Sequence, residues 1–410
     1  MLTQQGTQLK NEKLVLFSLA LIQFTHIMDF MIMMPLGPQL MRIFEITPAQ
    51  FGLIVSAYTF SAGIFGFLGA FFIDRFDRKA ALLFIYSGFI IGTLACAVAP
   101  TYHWLLAARV FTGMFGGVAG ALILSIIGDA IPNERRASAM GIVMAAFSLA
   151  SVFGVPFGLY MANKFSWHAP FLFIGCIGFA IIALISFVIP SMRNHIVAKL
   201  DRPGPLKVIT NVTTNPNQLR ALLLMFLLML GQFSVIPFLS PYMVANVGFT
   251  EADLTYIYLI GGFVTIFSSP MVGRLADKIG RFKVFTLFVI ISLIPLFGIT
   301  NMPKVEMPYV LVITSIFFIC AGGRMIPAST MVTSSVLPKQ RGSFMSINSS
   351  VQQLSASLAA FIAGLIVQKN AAGELVNYNY VGYIAIAASL LAILVASKIK
   401  VVDEVKPKTV

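Results

Sequence analysis

Gly273-Arg274-Leu275-Ala276-Asp277-Lys278-Ile279-Gly280-Arg281-Phe282-Lys283 places five charged residues between two long apolar runs. Its glycines permit a tight turn, and its carboxylate can accept from a helix amino terminus. Such a loop joins two helices over a very short distance. Moved back 203 positions, Asp277-Lys278-Ile279-Gly280-Arg281 falls on Asp74-Arg75-Phe76-Asp77-Arg78. The same shift lays Pro241 on Pro38 and Thr250 on Thr47, and a shift of 206 lays Pro338, Arg341 and Gly364 on Pro132, Arg135 and Gly158. The chain contains an internal repeat.

What repeats is apolar. The 410 residues are 58% hydrophobic and 10% charged, with mean hydropathy +0.90. Soluble domains average roughly 25% charged residues, so this chain cannot cover a water-facing surface. The same figures exclude a disordered chain, a disulfide scaffold and a coiled coil. A membrane span takes about 20 apolar residues, and twelve would use about 240. Apolar stretches fall near 14–41, 50–73, 80–100, 103–131, 137–163 and 168–190, then near 218–246, 252–276, 282–301, 306–337, 341–368 and 378–400. Residues 191–217 between them are basic and rich in Pro, Gly and Asn, a linker composition. The expected fold is an all-α membrane protein. Its twelve transmembrane helices form two six-helix halves, 1–190 and 218–410, related by a pseudo-two-fold repeat around a central cavity.

Lysine and arginine set the sidedness. Of 28 such residues, 22 lie in the tails, the linker and the loops on one side, whereas only Arg42, Lys164, Lys304 and Lys369 lie opposite. Both termini are therefore expected in the cytoplasm. Net charge is +13 and pI about 9.8, but the charge is parcelled into short clusters between apolar runs, which excludes a nucleic-acid face. Lys10 and Lys13 precede the first run without a small-residue cleavage site, so that run is read as a retained span. Cys96, Cys176 and Cys320 lie inside apolar runs with no paired spacing, and no disulfide is expected.

The segment 273–283 resembles the signature of the major facilitator superfamily, G-x-L-A-D-x-x-G-R-x-[KR], at every signature position. The first copy keeps Asp74, Arg75, Arg78 and Lys79 but has Ala70 and Asp77 where glycines are usual. The resemblance covers essentially the whole chain and implies a latch in the outward-facing state. In it Asp74 meets the start of the eleventh span and the Arg135-Arg136 pair; Arg78, Asp277 and Arg281 complete the set. Arg109, Gly113, Gly116 and Gly117 look like the family's fourth-span motif R-x-x-x-G-x-x-G. Arg109, Gly113, Gly116 and Gly120 share one helical face, so an arginine sits above a groove of small residues. In the drug–proton antiporters of the family that arginine takes part in proton coupling; snorkelling to the interface is the other reading. The fifth span has Gly154-Val155-Pro156-Phe157-Gly158-Leu159, which departs in spacing from the antiporters' G-P-x-x-G-G but still bends a helix.

Ionisable residues inside a span cost about 2.5–3.5 kcal/mol each at its centre, so each needs a reason. His26, Asp29, Arg109 and Arg324 are such residues, and Asp129 lies near the end of the fourth span. Ile22, His26, Asp29 and Met33 form one stripe on the first span, flanked by Thr25. The 203-residue shift places Gln232 opposite Asp29, and Arg324 sits midway along the tenth span. The resemblance implies that the first, fourth, seventh and tenth spans line the central cavity, which gathers Thr25, Asp29, Met33, Arg109, Gln232 and Arg324 as substrate-facing residues. A low-dielectric site favours a neutral acid and a neighbouring arginine favours its carboxylate, so alternating surroundings can load and expel a proton. Asp29 is the expected proton carrier, His26 its helper, and Arg109 or Arg324 the expelling charge. A structural Asp29–Arg324 pair without proton traffic is the alternative.

The resulting expectation is a secondary transporter close to the bacterial drug–proton antiporter and sugar-efflux-like branch, exporting a small amphiphilic solute from the bacterial inner membrane on the proton gradient. One aspartate against two arginines also suits an anionic or zwitterionic metabolite, siderophore or lysolipid-like substrate, proton-coupled or facilitated. Partners are then a solute, protons and the bilayer, with the chain a monomer. No nucleophile–base pairing, metal-ligand cluster or phosphate loop is visible, so neither an enzyme nor a cofactor is expected.

Overall fold

Two threonines 203 positions apart open matching helices. Thr47 caps the second span by accepting from the Gln50 amide, while Gln50 Oε1 accepts from the Thr47 amide. Thr250 and Asp253 make the same reciprocal box at the start of the eighth span. The sequence repeat is thus a repeat of local structure.

The computed structural model describes residues 11–193, 196, 209–210, 212–337 and 340–402. It contains twelve helices long and apolar enough to cross a membrane: Glu12–Ile32, Pro48–Gly69, Arg78–Ala97, Tyr102–Ala130, Ser138–Lys164 and Ala169–Val188, then Pro216–Val247, Asp253–Ile279, Arg281–Thr300, Met307–Ser334, Arg341–Ile366 and Tyr378–Ala396. A two-residue strand pair, Gln368–Lys369 with Leu375–Val376, decorates the turn between the last two. Most of the 191–217 linker lies outside the described residues. The first span ends sooner than the apolar run that encodes it. Its helix stops at Ile32, and a short helix, Gly37–Ile43, follows after a turn containing Pro35. Proline has no amide hydrogen to continue the ladder, so the turn falls there and Met33 lies just past the helix end.

The two copies of the charged turn differ for a backbone reason. Gly280 takes φ +101°, a conformation that favours glycine. Its counterpart Asp77 has φ −55° and needs no glycine; its carboxylate instead caps the third span, accepting from the Lys79 and Ala80 amides. Asp77 also receives hydrogen bonds from Ser191 and Arg193, tying the third span to the start of the linker.

At one face, the terminal face, Asn217 at the start of the seventh span bonds the carbonyls of Ser335 and Lys400. At the opposite, distal face the halves share one apolar core. Leu36, Leu40, Phe51 and Ile54 of the first half join Val235, Phe238, Leu254 and Ala360 of the second. A methyl group on Gly52 would come within 2.8 Å of the Ala360 carbonyl and 3.0 Å of Gly364 Cα, so the second and eleventh spans meet backbone to backbone there. Toward the terminal face the cores separate. One gathers Leu19, Leu82, Phe89 and Ile126 of the first half, the other Leu224, Phe285, Val332 and Phe344 of the second. Outward faces carry Phe60, Phe84, Phe187, Met271 and Ile294, all exposed, as expected of helices that present apolar side chains to lipid.

The fifth span's α-helical ladder is interrupted where its proline and glycines fall. Ala150–Gly154 is a π turn immediately before Pro156. Gly262 of the eighth span approaches it so closely that a methyl would lie 2.8 Å from Val152 Cα.

Candidate functional site

Asp29 points from the first span into the first half, where Thr93 of the third span and Arg109 of the fourth meet it. Arg109 Nη1 donates to Asp29 Oδ2 at 2.8 Å and Thr93 Oγ1 donates to Asp29 Oδ1 at 3.1 Å. The side chains of Arg109 and Asp29 are 1% and 0% exposed, so this ion pair is wholly removed from solvent. Burying two charges is costly, and the pair persists because each is the other's counter-ion and the second carboxylate oxygen is also bonded. Arg109 does not snorkel. Its guanidinium carbon lies 4.2 Å from the Tyr58 ring centroid, a cation–π contact that covers the charge from the second span.

The small residues of the fourth span make this approach possible. A methyl on Gly113 would fall 2.2 Å from Ser61 Oγ and 2.3 Å from the Tyr58 carbonyl; one on Gly117 would fall 2.1 Å from the Ala62 carbonyl. Gly116 leaves room for two polar groups, since a methyl there would lie 2.5 Å from the Tyr58 hydroxyl and 2.9 Å from His26 Nε2. Gly120, expected on the same packed face, has nothing within 4 Å. Gly117 is the packed residue instead, because the second span presents its Tyr58 and Ala62 carbonyls to Gly113 and Gly117, one turn apart.

His26, on the same stripe as Asp29, sits between Tyr58 and Phe89 with ring centroids 6.3 and 5.6 Å away. Both ring nitrogens of His26 and the Tyr58 hydroxyl are buried without a hydrogen-bond partner among the described residues. Buried polar atoms are rarely left so, and two of the three, the Tyr58 hydroxyl and His26 Nε2, flank Gly116 together. Phe30 stacks on Tyr58 at 5.4 Å and reaches Phe233 of the seventh span at 5.9 Å, which links this cluster to the other half.

The remaining expected cavity residues go elsewhere. Thr25 is buried and hydrogen-bonded to the Tyr86 hydroxyl at 3.0 Å, within the first half. Met33 belongs to the shared distal core. Gln232 is half-buried and makes no side-chain hydrogen bond with a described residue. Arg324 is 2% exposed and donates from Nη1 to Ser389 Oγ of the twelfth span at 3.1 Å; no ion pair involves it among the described residues. The alternative Asp29–Arg324 pair is therefore corrected: Arg109 is the partner of Asp29, and the two arginines serve different neighbourhoods. Sequence spacing missed Tyr58, Thr93 and Ser389, because hydroxyls are unremarkable in apolar helices until the helices are packed.

Of the expected latch residues, Arg78 Nε donates to Asp129 at 2.7 Å, and Arg281 donates to Ser334 Oγ at 2.8 Å. These are equivalent braces, each from the turn of one half to the last helical turn of the fourth or tenth span. Arg135 pairs with Glu12 at 3.0 Å, while Asp277 is exposed without a described partner. The side chain of Asp74 lies outside the described residues. Between the halves a narrow cleft is lined by Ala62, Gly66 and Gly117 on one wall and Ser346, Ser350 and Gln353 of the eleventh span on the other. Among the described residues no group of histidine, cysteine or carboxylate side chains could hold a metal.

Comparison with known proteins gives one answer. The chain is 26% identical to the MFS-type transporter YceJ of Bacillus subtilis (strain 168) over 342 residues, 83% of this chain and 86% of that protein. It is 24% identical over 366 residues to the inner membrane transport protein YdhP of Escherichia coli (strain K12), covering 88% and 90%. In fold it resembles a D-xylose–proton symporter (TM-score 0.76, 16% identity, 94% and 97% of the two chains) and an inward-facing bacterial homologue of the lysosomal transporter Spinster (0.72, 18%, 86% and 81%). The family model described as Major Facilitator Superfamily matches residues 19–226 and again 221–410. With twelve spans in two matching halves and matches over both, the chain is a membrane transporter, not an enzyme, and belongs to the major facilitator superfamily.

Proposed function

We propose that this transporter exports a small amphiphilic solute in exchange for protons, with Asp29 as the proton carrier. The observation that carries this reading is the buried triad of Asp29, Arg109 and Thr93. In this arrangement Arg109 holds Asp29 as a carboxylate. Protonation of Asp29 cancels the attraction, frees Arg109 to lean on Tyr58, and lets the first and fourth spans shift relative to each other. His26 and the Tyr58 hydroxyl, unpartnered and adjacent, are the groups through which water can deliver the proton. On return, Arg109 re-forms the pair and expels it.

Residues 1–190 and 218–410 rock against one another as units about the central linker. Because basic residues mark the terminal face as cytoplasmic, the distal closure corresponds to a cytoplasm-facing state, and the cleft beside Ser346, Ser350 and Gln353 lies on the solute's way in. Closure of that side brings the Asp74 and Asp277 turns into their latch positions. The protein works as a monomer in the inner membrane.

Proteoliposomes carrying an internal pH dye test the reading. Wild-type protein moves protons only when an amphiphilic solute is supplied, and Asp29→Asn and Arg109→Gln abolish that flux. Solute movement that ignores both pH and Asp29 would reduce the triad to a structural pair.

A further inference from the structure

Arg324 is the one guanidinium in the middle of the second half's spans, and it has no counter-ion among the described residues. Its single hydrogen bond goes from Nη1 to Ser389 Oγ at 3.1 Å, and Ser389 passes its own proton to the Ala385 carbonyl at 2.7 Å. Nε and Nη2 are buried and unpartnered. Those two atoms form one edge of the guanidinium, where two N–H bonds point the same way and match the two oxygens of a carboxylate or phosphate.

Among the described residues no carboxylate fills that edge. Asp29 is committed to Arg109 and Thr93 in the other half, while Asp253 and Asp277 stand at the two ends of the eighth span. In the Asp29–Arg109 pair the charges cancel, so the charge excess of the bundle interior is Arg324 alone. The surroundings are otherwise apolar or small. Cys320 lies one turn before it, Gly323 packs on Phe288, and Gly231 brings the seventh span so near the twelfth that an added methyl would lie 3.3 Å from the Ala385 carbonyl and 3.4 Å from Ser389 Oγ. A buried cation held against hydrophobic walls with an open bidentate edge is a poor structural element and a good half of a binding site.

We propose that Arg324, with Ser389 steadying it, binds the anionic group of a monoanionic amphiphile, a carboxylate or phosphate on an apolar body, as the transported solute. This rests on the alternating-access reading above and names its substrate class. Gly231 puts no side chain between the seventh span and Ser389, and Pro327, three residues on, leaves the Gly323 carbonyl without its helical partner, so the tenth span can flex beside the site.

The test uses the full chain in phosphatidylcholine nanodiscs, with decanoate and decyl phosphate as anionic probes and decanol and decyltrimethylammonium as neutral and cationic controls. The anionic probes raise the melting temperature of the wild type and the controls do not. Arg324→Lys keeps the charge without the fork and weakens decanoate at least tenfold. Arg324→Gln loses the response while its ligand-free melting temperature is at or above that of the wild type, which shows that it folds. Asp29→Asn retains decanoate binding, so proton flux measured in parallel reports on the coupling reading separately. An equal response to decyltrimethylammonium, or an undiminished decanoate response in Arg324→Gln, overturns the proposal. So does a stabilisation that depends on Arg324 and comes from phosphatidylglycerol in the nanodisc but not from decanoate, since the occupant is then a lipid headgroup.

Discussion

Arg42 and Glu251 meet across the distal face in a two-point contact, Nη1 to Oε1 at 2.5 Å and Nη2 to Oε2 at 3.4 Å, although 209 residues separate them. Asn163 adds a bond to the Glu251 carbonyl and is itself held by Gln39, so two segments of the first half, the short helix Gly37–Ile43 and the end of the fifth span, grip one loop of the second. Arg42 is largely exposed, which limits the pair to about 0–1 kcal/mol. That is too little to hold the fold and enough to bias a balance between two conformations. Glu251→Gln should therefore leave stability unchanged and increase the distally open population by up to about fivefold, since 1 kcal/mol is worth about that factor. Spin labels at Ile43 and Phe249 read this as growth of a longer-distance component. An unchanged distribution would mean the pair follows closure without favouring it.

The Asp29–Arg109 pair has the opposite character. Removing one partner strands a buried charge, so Arg109→Gln or Asp29→Asn should each lower stability by about 3–5 kcal/mol. The double variant, neutral at both positions, should recover most of that loss while remaining dead in proton-driven transport. Denaturation midpoints of the four proteins give the coupling directly. Additive losses would show that the two charges do not depend on each other.

Glycines of the fourth span separate packing from mere composition. Gly113→Ala and Gly117→Ala put a methyl against backbone carbonyls of the second span, at 2.3 and 2.1 Å, and each should cost about 1–3 kcal/mol. Gly116→Ala meets the ends of Tyr58 and His26, which can swing, so transport should suffer more than stability. Gly120→Ala has open space and should be neutral. Melting temperatures and flux rates of the four variants check the ranking.

Asp77 offers a pH test outside the membrane. Burial alone would raise its carboxyl, but the hydrogen bonds from Ser191, from the Ala80 and Lys79 amides and from Arg193 outweigh that and hold it below the ordinary carboxylate value. A group depressed in the folded state stabilises fully above its unfolded value of about 3.9 and loses that contribution as pH falls through the lower folded value. Asp77→Asn keeps a capping oxygen and removes only the charge, so it should melt slightly earlier than wild type at pH 7, and the gap should close below about pH 4. A gap that persists at pH 2 would assign the effect to shape alone.

The fold was legible because its signals are redundant. Apolar run lengths, the repeated turn, the paired Thr47 and Thr250 and the basic-residue asymmetry all point to one architecture. Span ends were less so, since the first run continues past Pro35 as apolar sequence after its helix has stopped. The site was half legible. Charge inside a span is conspicuous, so Asp29, Arg109 and Arg324 stood out, and a stripe at helical spacing brought in His26. Which arginine faces Asp29 depends on the rotation of two helices about their axes, and composition does not fix that. Tyr58 and Thr93 were hidden for the same reason, as was the exchange of Gly120 for Gly117 at the helix crossing. Asp77 in place of a signature glycine reads as a defect until its negative φ and its capping bonds are known.

The shared distal core carries a thermal consequence. Opening that face would take Phe51, Phe238, Leu254 and their neighbours out of mutual contact and wet part of them, whereas the cores toward the terminal face each lie within one half and need not be broken. Wetting apolar surface raises heat capacity, so the free-energy difference between the two states is curved in temperature instead of linear. The seal is weakest in the cold, where apolar burial loses its driving force. The transport cycle should accordingly shift from one slow half-reaction to the other as temperature changes, with a break in its Arrhenius plot that neutralising Glu251 does not remove and that polar replacement within the shared core does.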